Sequence, residues 1–262
     1  MRSGFRMRAG GPCSFAFSLL LATFPAKANA PCTDVALVLA MDASGSMSEA
    51  DFALQMQATA AALQDPQVLS AIASVGGIAL AAIIWADEAE GIRQLGWTYV
   101  DDAESAAHMG ALLSETLRGG GGNTDMGQGL YAALDLLEHT VPCASRRIIN
   151  VSGDGRETPG ARGRPAVSVL AARERADAEG VVINGLAIEA GDTGLRDWYE
   201  RRVITGPGSF AMSVGTLADF GAAMRLKLKR EIRDPALAYD QGPLPLPDAG
   251  RAVPHFGVMP PT

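Results

Sequence analysis

Two segments of the chain are almost free of polar side chains. Residues 34–41 (DVALVLAM) and 78–85 (IALAAIIW) each read as an unbroken apolar run of strand length. A strand with one face in water alternates polar and apolar positions, so a continuous run predicts a strand covered on both faces, as in a parallel sheet. Four further strands are expected. Residues 147–152 (RIINVS) and 181–187 (VVINGLA) are again largely apolar, and residues 209–213 are weaker. Residues 92–100 are more polar, which suits an edge strand. Between these runs lie helical segments. One opens at Ser48-Glu49-Ala50-Asp51 and runs to about Gln64, with Ser48 as N-cap and Asp51 in the first turn. Others are expected at 101–117, 126–138, 165–179, 195–202 and 216–233. In the last, Phe220, Met224, Leu228 and Ile232 recur every four residues, while Arg225, Lys229, Arg230 and Arg233 occupy much of the remainder. That is the pattern of a core face opposite a solvated basic face.

Strands alternating with helices predict an α/β fold, with a doubly wound, mostly parallel central sheet flanked by helices and one antiparallel edge strand. The chain has 262 residues, 48% of them hydrophobic, and a mean hydropathy of +0.11. About 200 residues remain once two terminal segments are set aside, enough for one such domain.

The first of these segments, residues 1–30, reads as a signal peptide. Arg2, Arg6 and Arg8 precede the apolar stretch 13–24 (CSFAFSLLLATF), which is too short to span a bilayer comfortably. Ala26-Lys27-Ala28 and Ala28-Asn29-Ala30 both fit the small-x-small cleavage pattern, so the mature chain is expected to start at Asn29 or Pro31. The second segment, residues 234–262, is rich in proline and reads as a tail without its own core. The domain is therefore expected over residues 31–233.

Residues 1–30 hold three arginines, one lysine and no acid, which leaves 18 bases against 29 acids, a net charge of −11. An acidic exported domain of this kind is a poor partner for nucleic acid or anionic membrane. No other segment is long and apolar enough for a transmembrane helix.

Three loops gather the polar chemistry. Asp42-Ala43-Ser44-Gly45-Ser46 directly follows the first strand, Gly119 to Gly122 lead into Asn123-Thr124-Asp125, and Ser152-Gly153-Asp154-Gly155 follows the strand at 147–152. In open α/β sheets, ligands bind beyond the carboxyl ends of the strands. Asp42, Ser44 and Ser46 at alternating positions put one carboxylate and two hydroxyls on one side of a turn. Thr124 and Asp154 add a hydroxyl and a second carboxylate, and Asp125 stands beside Thr124 as a possible substitute or helper. These are hard oxygen ligands suited to Mg2+ or Mn2+, and without His or Cys they disfavour zinc.

A serine hydrolase would want G-x-S-x-G, whereas Ser44 sits in D-A-S-G-S. The three histidines, His108, His139 and His255, lie outside the three loops and read as surface residues. Trp97, Trp198 and Tyr199 look exposed and read as packing residues. The glycine run follows a helix, so it is no dinucleotide fingerprint. Asn150-Val151-Ser152 is formally a glycosylation sequon inside an expected buried strand.

Asp-x-Ser-x-Ser at 42–46, followed by Thr124 and Asp154, resembles the metal-ion-dependent adhesion site of von Willebrand factor type A domains. The order of strands and helices over roughly residues 33–233 agrees with that family. The strings RRIINVSGDG and GVVINGLAI are similar to an uncharacterised bacterial family of secreted proteins with this domain. The resemblance implies Mg2+ or Mn2+ held by Asp42, Ser44, Ser46, Thr124 and Asp154, with one position left for an Asp or Glu of a partner protein. It also implies a role in adhesion or assembly, without catalysis, in the periplasm or outside the cell. In some members of that family the metal loops are coupled to movement of the last helix, here 216–233.

In that fold the strands after Cys32 and Cys143 are neighbours, and Cys13 leaves with the leader. Export would supply an oxidising compartment, so a Cys32–Cys143 disulfide is expected. The alternative from another class is a hydrolase using Mg2+-activated water, with Asp125 or Glu157 as the base.

Overall fold

The computed structural model describes residues 32–87, 91–119, 121–139, 143–158 and 167–233. The expected leader with its cleavage points, His255 and the proline-rich tail lie outside the described residues. Among the described residues no helix is long and apolar enough to cross a membrane.

Six strands form one sheet: β1 (Thr33–Asp42), β2 (Ile78–Trp85), β3 (Arg93–Val100), β4 (Ala144–Gly153), β5 (Val182–Ile188) and β6 (Ala211–Val214). Their order across the sheet is β3-β2-β1-β4-β5-β6. All neighbours are parallel except β3, which runs antiparallel to β2 at the edge. The sheet thus winds outward in both directions from β1, as the alternation of elements implied.

The two apolar runs lie at its centre. In β1, Val35, Leu37, Leu39 and Met41 enter one core, shared with α1 (Glu49–Leu63), α2 (Pro66–Ser74), α3 (Ala103–Ser114) and α7 (Phe220–Ile232). Ala36, Val38 and Ala40 enter the other core, under α4 (Met126–His139), α5 (Val169–Glu179) and α6 (Leu195–Arg202). The smaller residues on that second face let α4 come close. A side chain at Gly129 would stand 2.4 Å from the Trp85 ring.

The helix α2 is absent from the sequence reading. Asp65 caps it and Pro66 occupies its first turn, a valid start signal, but one lost because α1 ends two residues earlier. The segment 216–219 begins as a 3-10 turn, Leu217–Asp219, before α7 proper. The disulfide is present: Cys32 and Cys143, with Cα atoms 4.9 Å apart, join the starts of β1 and β4.

Phe220, Met224, Leu228 and Ile232 are buried as expected, yet α7 also buries two charges. Lys227 donates to Glu231 Oε1 at 2.5 Å, and the Asn150 amide of β4 donates to Glu231 Oε2 at 2.8 Å. Burial pulls the Lys227 ammonium down to about 8, against the favourable charge of Glu231. Arg146 donates to the carbonyls of Glu231, Ile232 and Arg233 at the end of α7, where a cation also suits the helix dipole. This network fixes α7 to β4, and it explains why the sequon asparagine faces inward.

Candidate metal centre

The parallel strands β1 and β4 are adjacent, so the loops leaving their carboxyl ends emerge side by side. The loop after β1 is held from three directions. The backbone N–H of Ala43 donates to Trp85 O at 2.8 Å, the Gln55 amide donates to Asp42 O at 3.2 Å, and the N–H of Gly45 donates to Gly122 O at 3.0 Å. A Cβ at Gly45 would lie 2.7 Å from Gly122 O, so only glycine lets the first and second loops touch here. Gly122 itself has φ +83°, a conformation that glycine adopts without strain. The second loop is stitched to the third through Thr124 and Thr158. The N–H of Thr124 donates to the Thr158 hydroxyl at 2.8 Å, and the N–H of Thr158 donates to Thr124 O at 3.1 Å.

These ties bring all five expected residues together. Asp42 Oδ1 accepts the N–H of Ser44 at 2.7 Å. The hydroxyls of Ser44 and Ser46 are 3.2 Å apart, and Ser46 donates to Asp154 Oδ1 at 2.6 Å. Thr124 Oγ1 and Ser46 Oγ flank Gly155, at 3.5 and 3.9 Å from where its Cβ would stand. Asp42 and Ser44 are fully buried, whereas Ser46 is exposed and Asp154 partly so. The cluster therefore has a dry floor and an open rim.

The floor is electrostatically unbalanced. Asp42 Oδ2 is buried without a hydrogen-bond partner. Burial pushes the Asp42 carboxyl up to about 7, with the Ser44 N–H and hydroxyl and the Asp154 N–H opposing and the negative charge of Asp154 adding to the rise. A buried carboxylate normally has a paired charge. The nearby cation does not supply one, because Arg118 donates to the carbonyls of Ala43 and Ser44 at 3.2 and 2.7 Å and pairs with Glu49. Two carboxylates and three hydroxyls around an uncompensated oxygen fit a hard divalent cation.

The remaining acids near the loops have other partners. Glu157 Oε1 accepts the N–H of Val169 at 2.8 Å, at the start of α5, and Glu157 also accepts from the N–H of Gly127 in the first turn of α4. Partial burial raises its carboxyl while these two N–H groups oppose the rise. It caps two helices. Asp125 is buried, and its charge bears on Glu157. The hydroxyl brought beside Ser46 is that of Thr124. We expect Glu157→Ala to lower the unfolding free energy by ~1–2 kcal/mol in urea melts, the scale of a lost helix cap.

Three residues around the loops escaped the sequence reading. Arg118 clamps the first loop, and Arg156 is held by Asp192 through two hydrogen bonds of 2.6 and 3.0 Å. Tyr199, exposed-looking in the sequence but read there as a packing residue, is fully buried, and its hydroxyl has no hydrogen-bond partner. Burial and the charges of Asp42 and Asp154 hold that phenol well above its ordinary value. The spacing Leu195, Tyr199, Val203 was the available signal, since all three lie on one helix face and are buried. Trp97 and Trp198 pack at the margin of the core, and His108 and His139 are exposed.

The fold has relatives among solved structures. The SpaC pilus adhesin of Lactobacillus rhamnosus GG, in its open conformation, superposes with a TM-score of 0.56 at 16% identity, over 76% of this chain and 30% of SpaC. This chain thus spans less than a third of that adhesin. The vWF domain of the type V pili tip protein Mfa5 from Porphyromonas gingivalis gives 0.53 at 13% identity, over 82% of this chain and 99% of that domain. A mutant of the PilB minor pilin from Streptococcus sanguinis gives 0.53 at 15%, over 84% and 65%. No curated protein sequence matches the chain. The model of the family described as Protein of unknown function (DUF1194) matches residues 31–236. The chain belongs to that family, and its fold is that of a von Willebrand factor type A-like domain.

Proposed function

We propose that this chain is an exported, metal-dependent protein-binding module that engages a carboxylate of a partner protein and catalyses no reaction. The observation that carries this reading is the convergence of Asp42, Ser44, Ser46, Thr124 and Asp154 around a buried carboxylate oxygen without a partner. Ser44, Ser46 and Thr124 would hold Mg2+ or Mn2+ through their hydroxyls, and Asp42 and Asp154 directly or through water. With only two carboxylates in the set, the bound ion supplies a positive centre that attracts a further anion. The exposed rim at Ser46 and Asp154 gives a partner's Asp or Glu access.

The pilus adhesin and pilus tip protein that share the fold support adhesion or assembly as the setting. The Cys32–Cys143 bridge supports export to an oxidising compartment. The commitment of Glu157 to helix capping speaks against metal-assisted hydrolysis.

The test is capture of a partner from periplasmic or secreted extract, with and without chelator. Capture by the wild type is expected to fail in chelator and in Asp42→Ala and Asp154→Ala, while circular dichroism stays native-like. Capture that survives both chelator and Asp42→Ala would place recognition on another face.

A further inference from the structure

Two buried polar atoms without hydrogen-bond partners both face Gly153, beneath the metal loops. One is Asp42 Oδ2, an acceptor; the other is the Tyr199 hydroxyl, a donor. A Cβ on Gly153 would stand 2.6 Å from the first and 3.1 Å from the second. The path of the tyrosine is cut by glycine twice. A Cβ on Gly185 of β5 would lie 2.4 Å from Tyr199 Cδ1, and one on Gly153 of β4 would meet the hydroxyl. The ring therefore reaches from α6 across β5 and β4 towards β1, and its hydroxyl ends beside Gly153, which Asp42 Oδ2 also faces. An apolar packing role would need the ring alone. A hydroxyl buried in that position needs a partner, since an unpaired one forfeits its hydration without compensation.

We propose that Tyr199 is a positioning residue whose hydroxyl donates to Asp42 Oδ2, directly or through one buried water, and so holds the carboxylate in the orientation that receives the cation. This rests on the reading of the site as a Mg2+ or Mn2+ centre. Tyr199 is not among the five residues that would hold the ion; it fixes one that is. Outer partners of this kind affect metal affinity by about 10–100-fold.

Tyr199→Phe in the full-length chain separates this role from packing. It keeps the ring and deletes one oxygen. In the metal-free protein the melting temperature is expected to fall only slightly, because the ring stays and one buried hydrogen bond is lost. In calorimetric titration with MgCl2 or MnCl2, the Kd is expected to weaken by about 10-fold, while Tyr131→Phe matches the wild type. A Kd for Tyr199→Phe within about two-fold of wild type overturns the proposal. So does a lower metal-free melting temperature with unchanged affinity, since that is packing alone. A crystal structure of the unmutated protein with Mn2+ gives an independent reading. The hydroxyl should lie within ~3.2 Å of Asp42 Oδ2 or share one water with it, and the absence of both contacts would contradict the role. If the wild type itself binds neither ion, the reading of the centre fails first and takes this inference with it.

Discussion

Replacing Cys32 and Cys143 together by serine is expected to lower the unfolding free energy by ~4 kcal/mol while leaving the metal site intact. The bridge joins residues 111 apart in sequence. Closing a loop of that length restricts the unfolded chain by up to about 4–5 kcal/mol in the chain-entropy account. For a domain of this size the melting temperature should fall by about 10–15 °C, at 2–4 °C per kcal/mol. The bridge lies at the amino-terminal edge of β1 and β4, and the metal loops lie at the carboxyl edge. Ten residues of β1 separate the two, a distance of roughly 30 Å at the usual strand rise. Denaturant unfolding of the wild type and the double serine variant measures the loss, and Mg2+ titration of both checks that the site is untouched. A difference below ~1 kcal/mol would mean that the disulfide does little to the unfolded ensemble.

A second large effect is expected from Asp42, and it has an unusual sign. Its carboxyl titrates near 3.8 when unfolded and at about 7 when folded without metal. Between those values the folded state keeps a proton that the unfolded chain has released. Raising the pH therefore favours unfolding. The metal-free protein should be most stable on this account below pH 4 and lose the contribution as pH rises through 7, by at most ~4 kcal/mol. Other carboxylates titrate in the same range, so the comparison is with Asp42→Asn. That variant should show a shallower decline between pH 5 and 8 and exceed the metal-free wild type in stability at pH 8. Saturating Mg2+ should flatten the wild-type profile, because the cation takes the place of the proton. Parallel pH profiles for the two proteins without metal would contradict this.

The parts of the molecule that were legible from sequence are those in which local pattern and final environment agree. β1 and β2 are apolar throughout and are covered on both faces, so the run alone located them. The first and third loops were visible because Asp42 and Asp154 follow such strands, and parallel neighbours place their carboxyl ends together.

What stayed hidden depends on tertiary packing. Lys227 and Glu231 stand four apart on α7 and look like an ordinary surface pair; only the approach of Asn150 from β4 makes them a buried network. Arg118 follows α3 in a stretch with no pattern, and it acquires its role from carbonyls 75 and 74 residues away. Tyr199 sits among charged neighbours in LRDWYERR. Its burial needs the glycines at 153 and 185, which belong to other strands and carry no local signal for it.

The proposed function depends on a divalent cation held by the three loops. Isothermal titration of the metal-free protein with MgCl2 and MnCl2 at neutral pH tests it most directly, alongside Asp42→Ala and Asp154→Ala. One saturable site is expected in the wild type, with loss of that binding in both variants and unchanged far-ultraviolet circular dichroism. Heats in the wild type indistinguishable from dilution, or equal binding in all three proteins, would contradict it.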